Sequence, residues 1–178
     1  MIDNSDFAAF VRTNTTTLLR SAYLLTGSQQ AGEELVQDTF VRLYPRWSRV
    51  SSADAPMAYV RKSLTNNFLN HRRARVSSEL PFADPPVGGH EPDIARSVTD
   101  RDLVSQLLDS LPPKSRAVLV LRFYDDLSDT DIAKAVGCRP GTVRSTVSRA
   151  LASLRERLAE ADAPSDTPTE PQPKGGLR

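Results

Sequence analysis

The chain has 178 residues, which is enough for one domain or two small ones. Hydrophobic residues make up 39% of it and charged residues 25%, as in globular proteins that fold in water. A formal net charge of +1 excludes a uniformly polybasic nucleic-acid binder, and the single cysteine, Cys138, excludes a disulfide framework or a cysteine-based metal site. Without a long apolar run or a basic-then-apolar leader, we expect a cytoplasmic protein with no membrane insertion.

The first 75 residues predict three helices, because apolar side chains recur there at three- and four-residue spacings. Gly27 should end the first helix, and Ser28 should cap the second. Pro45 should stop or kink the second helix. We then expect a polar loop from Ser48 to Ala55, before Pro56 opens a third helix. This third helix closes with a basic cluster that consists of His71, Arg72, Arg73 and Arg75.

The composition changes after residue 75. Proline, glycine and acidic residues predict a flexible linker over residues 76–96. Residues 97–160 should form a second helical domain, in which Pro112 and Pro113 halt a fourth helix and Ala117, Leu121 and Tyr124 mark a fifth. Residues 161–178 are rich in Pro, Ser, Thr and Asp, which predicts a disordered tail.

Residues 128–158 predict a helix-turn-helix, in which a short helix and a tight turn precede a longer helix. Ser128 can cap the short helix, with Asp131 at the reciprocal capping-box position. Gly137 suits the left-handed end of that helix, and Pro140 suits the first position of the next. The longer helix carries an apolar stripe made of Val143, Val147, Leu151, Leu154 and Leu158.

Basic and hydroxyl residues occupy the opposite side of that longer helix. Thr142, Ser145 and Arg149 fall opposite the stripe, and Arg144 and Ser148 flank it. Arginine can donate to guanine edges, while serine and threonine serve phosphates or base edges. The alternative is an ordinary solvated face, but such faces usually mix the two signs of charge, and here acids are scarce.

Three segments in chain order carry a family resemblance: residues 34–40 (ELVQDTF), residues 58–75 (AYVRKSLTNNFLNHRRAR) and residues 111–154, which include the helix-turn-helix. Together they resemble the bacterial sigma factors of the extracytoplasmic-function (ECF) group, which are minimal members of the sigma-seventy superfamily. The resemblance implies an all-α fold with two small domains, sigma domain 2 over residues 1–75 and sigma domain 4 over residues 97–160.

The resemblance also implies the function and its residues. The protein would bind core RNA polymerase, through the clamp coiled coil of the β′ subunit and the β flap, and direct it to promoter DNA. Residues implied at the clamp are Gln37, Asp38, Phe40 and Val41, although Phe40 could equally be a core residue. Residues implied at the melted −10 element are Tyr59, Arg61, Lys62, Asn66, Asn67, Arg72 and Arg73. Residues implied at the duplex −35 element are Arg139, Thr142, Arg144, Ser145, Ser148 and Arg149.

Such a factor performs no bond chemistry, so the resemblance implies no catalytic residue, metal, cofactor or small-molecule substrate. It leaves open a silencing anti-sigma protein. Two rivals come from other classes. A repressor or activator with a helix-turn-helix would normally dimerise, yet no dimer helix is evident. An enzyme would need oriented titratable groups, but His71 and His90 lie in a basic cluster and in the linker.

Overall fold

The protein is described by a computed structural model over residues 4–78 and 100–162, and within these ranges every regular element is helical. The predicted linker and tail fall largely outside the described residues. The last described helix of the first half continues to Ser78, three residues into that linker. The helices are α1 (Asn4–Thr26), α2 (Gln29–Leu43), α3 (Trp47–Ser51), α4 (Pro56–Ser78), α5 (Asp100–Asp109), α6 (Pro113–Leu119), α7 (Asp129–Val136) and α8 (Pro140–Asp162).

The junction between α1 and α2 follows the sequence prediction. Gly27 has a φ of +78°, and its N–H donates to the carbonyl of Tyr23 at 2.8 Å, which ends α1. The Ser28 hydroxyl accepts from the N–H of Ala31 at 3.4 Å, so Ser28 caps α2. Gly32 then lets the two helices approach, since a Cβ at this position would lie 3.1 Å from the backbone nitrogen of Tyr23.

The predicted loop from Ser48 to Ala55 is wrong in its first half, because Trp47–Ser51 is helical and only residues 52–55 connect it to α4. Trp47 and Val50 lie three residues apart on one side of this turn and are 3% and 1% exposed. The indole N–H of Trp47 donates to Asp6 at 3.0 Å, and its ring packs on Phe10 at 4.7 Å between centroids. Burial of these side chains outweighs the polar composition of the segment.

The second half contains the predicted helix-turn-helix. Ser128 accepts from the N–H of Asp131 at 3.2 Å and caps α7, while its hydroxyl donates to the Asp131 carboxylate at 2.7 Å. Gly137 has a φ of +66° and ends α7, and α8 begins at Pro140. Of the predicted stripe, Val143 is fully buried and Leu158 is 40% exposed. The fifth helix is α6, and it continues through a π-helical turn at Val120–Tyr124.

The two halves pack against each other through one continuous cluster of buried side chains. Helix α4 of the first half contacts α6 and α7 of the second, and α1 contacts α5 and α6. The approach is close at Gly27, where a Cβ would overlap the carboxylate of Asp109 in α5. The composition of the linker did not predict this contact, because it depends on side chains far apart in the sequence.

Buried polar groups lie within this contact between the halves. Asp125, whose side chain is 2% exposed, accepts from the hydroxyl of Ser21 at 3.0 Å, and Arg61 Nε forms an ion pair with the same carboxylate oxygen at 3.1 Å. Arg116, which is 1% exposed, donates from Nε to the carbonyl of Leu24 at 2.6 Å and pairs with Asp109. Leu24 lies in the last turn of α1, where carbonyls lack helical partners. A side chain of the second half therefore caps a helix of the first.

Burial raises the pKa of Asp125 above its ordinary value, and the nearby Arg61 guanidinium and Ser21 hydroxyl oppose this shift without cancelling it. An acid whose pKa is raised in the folded protein binds a proton more tightly there than in the unfolded chain. Its contribution to the free energy of unfolding therefore falls as the pH rises from about 4, the ordinary aspartate pKa, and levels off above the pKa in the folded protein.

We therefore expect the variant Asp125→Asn to lack this pH-dependent contribution. The free energy of unfolding of the wild type minus that of the variant should decrease as the pH rises from about 4 and then become constant. Urea denaturation of both proteins at several pH values measures this difference. A difference that is independent of pH, or that grows as the pH rises, would show that burial does not raise the pKa of Asp125.

Candidate nucleic-acid interface

The predicted reading face of α8 is open to solvent. Its arginine and hydroxyl residues are all exposed, namely Arg139, Thr142, Arg144, Ser145, Ser148 and Arg149. Val143 and Ala150 anchor the opposite side of the helix in the core, at 0% and 4% exposure. Arg149 Nε donates to the carbonyl of Ser145 at 3.2 Å, which leaves its two terminal nitrogens without a described partner. The helix thus presents donors outward from a rigid support.

Two further residues join this face, and the sequence analysis did not identify them. Arg122 comes from the π-helical turn and Asp129 from the first turn of α7. The Asp129 carboxylate accepts from Arg122 Nη1 at 2.6 Å with one oxygen and from Arg144 Nε at 2.9 Å with the other. Together with Arg155, these residues line an open cleft of about 380 Å³ beside α8. In the sequence, only the position of Arg122 as a basic residue in an otherwise apolar stretch (VLVLRFY) could have indicated that it joins the basic face.

The side of α4 predicted to meet the −10 element is only partly free. Tyr59 is 40% exposed, and Lys62 and Arg73 are exposed. Arg61 is held by Asp125 of the second half, and its side chain is 21% exposed. Arg72 lies over the ring of Phe68, with 5.9 Å between the guanidinium carbon and the ring centroid. The side chain of Arg75 lies outside the described residues.

Two neighbouring asparagines of α4 differ in their surroundings. Asn66 is partly exposed, whereas Asn67 is 4% exposed and donates through Nδ2 to the hydroxyl of Thr39 at 3.0 Å. Thr39 in turn donates to the carbonyl of Leu35 at 2.8 Å. In this structure, the Asn67 amide thus links α4 to α2 and has no open route to a base. The predicted contact with a base requires an accessible amide, and of the two asparagines only Asn66 is accessible.

The residues predicted at the polymerase clamp lie along α2. Gln37, Asp38 and Val41 are exposed, and Val41 has 71% of its surface accessible. Phe40 is partly buried and packs edge-on against Phe7, with ring centroids 6.0 Å apart, so one side of Phe40 belongs to the core. Tyr44 follows on the same side of the helix and is 38% exposed. Asp38 also pairs with His71 of α4 at 3.5 Å.

These features define a two-domain helical protein whose helix-turn-helix exposes a basic face on its second helix. Residues 10–77 match the family model of Sigma-70 region 2, and residues 101–154 match that of Sigma-70, region 4. The RNA polymerase sigma-E factor of Streptomyces avermitilis is 37% identical over 157 residues, which cover 88% of this chain and 87% of that protein. The sigma-E factor of Streptomyces coelicolor is 36% identical over 157 residues, with 88% of each chain covered.

Solved structures agree with this assignment. The sigma factor RpoE of Bartonella quintana, crystallised with the anti-sigma factor NepR, superposes with a TM-score of 0.67 at 27% identity, covering 89% of this chain and 99% of that one. CnrH, solved in complex with the cytosolic domain of CnrY, has a TM-score of 0.60 at 22% identity and shows the shared fold, covering 90% of this chain and 92% of that one. The chain therefore belongs to the ECF group of the sigma-70 family, whose members are transcription initiation factors.

The helices of the described residues and the two family matches confirm the all-α, two-domain prediction, and the relatives confirm the family resemblance. Among the described residues, no helix is both long enough and apolar enough to span a membrane. The individual contact residues on α2, α4 and α8 stay predictions, because no partner is present in the structure.

Replacing Asn67 by alanine should destabilise the fold, because the change removes a buried hydrogen bond between α4 and α2. We expect the free energy of unfolding to fall by about 1–3 kcal/mol. The matched variant Asn66→Ala, at a partly exposed neighbour, should change it by less than about 0.5 kcal/mol. Denaturant unfolding of both variants measures the two effects, and equal effects would contradict a structural role specific to Asn67.

Proposed function

We propose that this chain binds core RNA polymerase and directs it to promoters, with α8 reading the −35 element as duplex and α4 holding the −10 element as melted DNA. The observation that carries this proposal is the face of α8, where two arginines and three hydroxyl residues are exposed, with Arg139 exposed just before the helix, while the other side is anchored in the core. The family supplies the context of transcription initiation.

The shape of the second half supports duplex recognition. An α-helix with its side chains is about 10–12 Å across, and the major groove of B-DNA is about 12 Å wide. In a helix-turn-helix the second helix enters that groove, with its N-terminal residues nearest the bases. Arg139, Thr142 and Ser145 lie in the first two turns of α8 or just before them, and all three are exposed. This exposure near the start of α8 supports base and phosphate contacts by these residues.

The residues left free on α4 support a contact with single-stranded DNA. Lys62 and Arg73 supply exposed positive charge for phosphates, and Tyr59 offers an aromatic ring on which a base can stack. Asn66 can hydrogen-bond an exposed base edge. Opening duplex DNA costs a few kcal/mol per unstacked step, and capturing a freed base offsets part of this.

The exposed apolar surface of α2 supports a protein partner. Val41, at 71% exposure, lies beside the half-buried ring of Phe40 and the polar side chains of Gln37 and Asp38. An apolar centre with a polar rim is the usual composition of a protein interface. We assign this surface to the clamp coiled coil of the β′ subunit, and the β flap to the second half. Because the similar sigma factor RpoE binds the anti-sigma factor NepR, we propose an anti-sigma partner for this chain as well.

Run-off transcription on a genomic promoter library, with purified core polymerase and this chain, tests the proposal. We expect start sites that appear only when the chain is added. The variant Val41→Asp should abolish them and weaken association with core polymerase by on the order of 10-fold or more, because it places a charge in an apolar contact.

The variant Thr16→Asp serves as the matched control, since Thr16 is an exposed residue of α1 outside the proposed surface. It should leave both transcription and association unchanged. If the wild-type chain neither associates with core polymerase nor produces new start sites, the proposed function is wrong. If Val41→Asp behaves like the wild type, the clamp surface lies elsewhere.

Removing the Arg149 side chain should weaken binding to a −35 duplex. If Arg149 binds a guanine, Arg149→Ala should weaken the binding free energy for the specific duplex by about 1–3 kcal/mol, and that for a scrambled duplex much less. Arg157→Ala removes an exposed arginine further along the same helix and should affect both duplexes little. Fluorescence anisotropy with labelled duplexes measures these affinities. Equal losses on specific and scrambled DNA would instead identify Arg149 as a phosphate contact.

A further inference from the structure

One acid, Asp129, lies at the edge of the basic face of the second half, in a cleft that Val147 and Leu151 of the apolar stripe also line. Three arginines and one aspartate line the cleft beside α8, namely Arg122, Arg144, Arg155 and Asp129. A carboxylate weakens the attraction of such a surface for phosphates, and affinity for DNA rises with every cation that faces the backbone. Asp129 therefore opposes general DNA binding, and its presence there calls for a compensating role.

A simple explanation is that Asp129 stabilises the N-terminus of α7, where negative charge is favourable. Stabilising the N-terminus of α7 does not require the contacts of Asp129 with Arg122 and Arg144. Ser128 already caps α7, and Asp131 supplies a second acid in the same turn. Asp131 points to Ser128 and Lys134, whereas both oxygens of Asp129 are occupied by arginines from other elements.

The contact with Asp129 orders the side chain of Arg144, which is otherwise largely exposed. The Arg144 side chain is 76% exposed, whereas that of Asp129 is only 17% exposed and is itself held in place. Asp129 binds Arg144 through Nε, which leaves the two terminal guanidinium nitrogens available for a bidentate contact with a guanine. An arginine held in this way loses less conformational entropy when it meets DNA than a free one does.

We propose that Asp129 is a positioning residue, which orders Arg144 and Arg122 on the DNA-facing side of the helix-turn-helix and thereby favours sequence discrimination over affinity. This inference rests on the proposed function, because it requires α8 to read duplex DNA. Asp129 itself makes no contact with a base in this scheme. It acts through the two guanidinium groups and lowers general attraction to phosphates at the same time.

The test compares Asp129→Asn with Asp131→Asn in the full-length chain. Each change removes one negative charge from the first turn of α7, but only the first affects the two arginines. The probes are a labelled duplex that carries the −35 segment of a promoter activated in the transcription assay and a scrambled duplex of equal length. Fluorescence anisotropy at several salt concentrations gives the ratio of the two affinities, and circular dichroism checks that each variant folds.

We expect Asp129→Asn to reduce that ratio about 3- to 10-fold, in line with the cost of ordering a freed side chain. Binding to the scrambled duplex should stay equal or become tighter, because a negative charge is lost. Asp131→Asn should leave the ratio unchanged. A ratio unchanged in Asp129→Asn, with both duplexes bound more tightly, would overturn the inference and leave only an effect of charge.

A further pair of variants separates this inference from the proposed function. Arg144→Ala should reduce the ratio by itself, and adding Asp129→Asn to it should reduce the ratio less than it does in the wild-type background. If Arg144→Ala reduces the ratio but Asp129→Asn does not, α8 reads DNA without help from Asp129, and the inference fails alone. If the wild-type chain does not distinguish the two duplexes at all, the proposed reading of the −35 element fails.

Discussion

The carboxylate of Asp125 is buried where the two halves meet, beside the apolar cluster that joins them. Its partners come from two helices of the first half, with Ser21 on α1 and Arg61 on α4. Burial of a charge is unfavourable unless partners compensate for it, and burial raises the pKa of Asp125 although Arg61 and Ser21 oppose the shift. Arg116 adds a second polar link, because its guanidinium donates to the carbonyl of Leu24 at the end of α1. The hydrogen bonds and the ion pair therefore favour one orientation of the two halves. The charged groups that form them would, however, also be well solvated in water.

The ion pair with Asp125 is incompatible with the predicted role of Arg61 at the −10 element. A guanidinium paired with Asp125 cannot at the same time track a DNA phosphate, so any use of Arg61 at the −10 element requires the ion pair with Asp125 to break. Breaking one side of a buried pair leaves the other charge uncompensated, which is unfavourable unless Asp125 becomes hydrated. If Arg61 binds DNA, that contact and the packing of the two halves around Asp125 are thermodynamically linked, so whatever favours one disfavours the other. Tyr59, Lys62 and Arg73 do not carry this penalty, because they are exposed in the packed arrangement.

Local signals in the sequence predicted most of the fold. Glycines at 27 and 137, caps at Ser28 and Ser128, and prolines at 56 and 140 mark helix ends through the backbone geometry of single residues, and the structure places helix boundaries there. The local signals fail where contacts between distant residues determine the structure. Trp47 and Val50 turn a polar segment into a helix because other helices bury them. Nothing in the sequence indicated that Asn67 would be buried and bonded to Thr39. The amino-acid composition predicted a linker between two domains, but it could not predict the ion pair between Asp125 and Arg61. The same limitation hid Arg122, which belongs to the basic face only because the chain turns before α7.

The near-neutral net charge of the chain fits a factor that binds DNA at specific sites and has little sequence-independent affinity. Sequence-independent affinity grows with the number of phosphates neutralised, so a strongly basic protein would be held at countless sites. Here the net charge is +1, the arginines of the reading face share that face with Asp129, and Arg61 is paired with Asp125. Acids thus moderate both basic surfaces. What remains are a few arginines held in defined orientations, which suits recognition by hydrogen-bond geometry more than by charge. In a polymerase complex the enzyme supplies additional binding, so the factor itself can retain weak general attraction and still direct where initiation occurs.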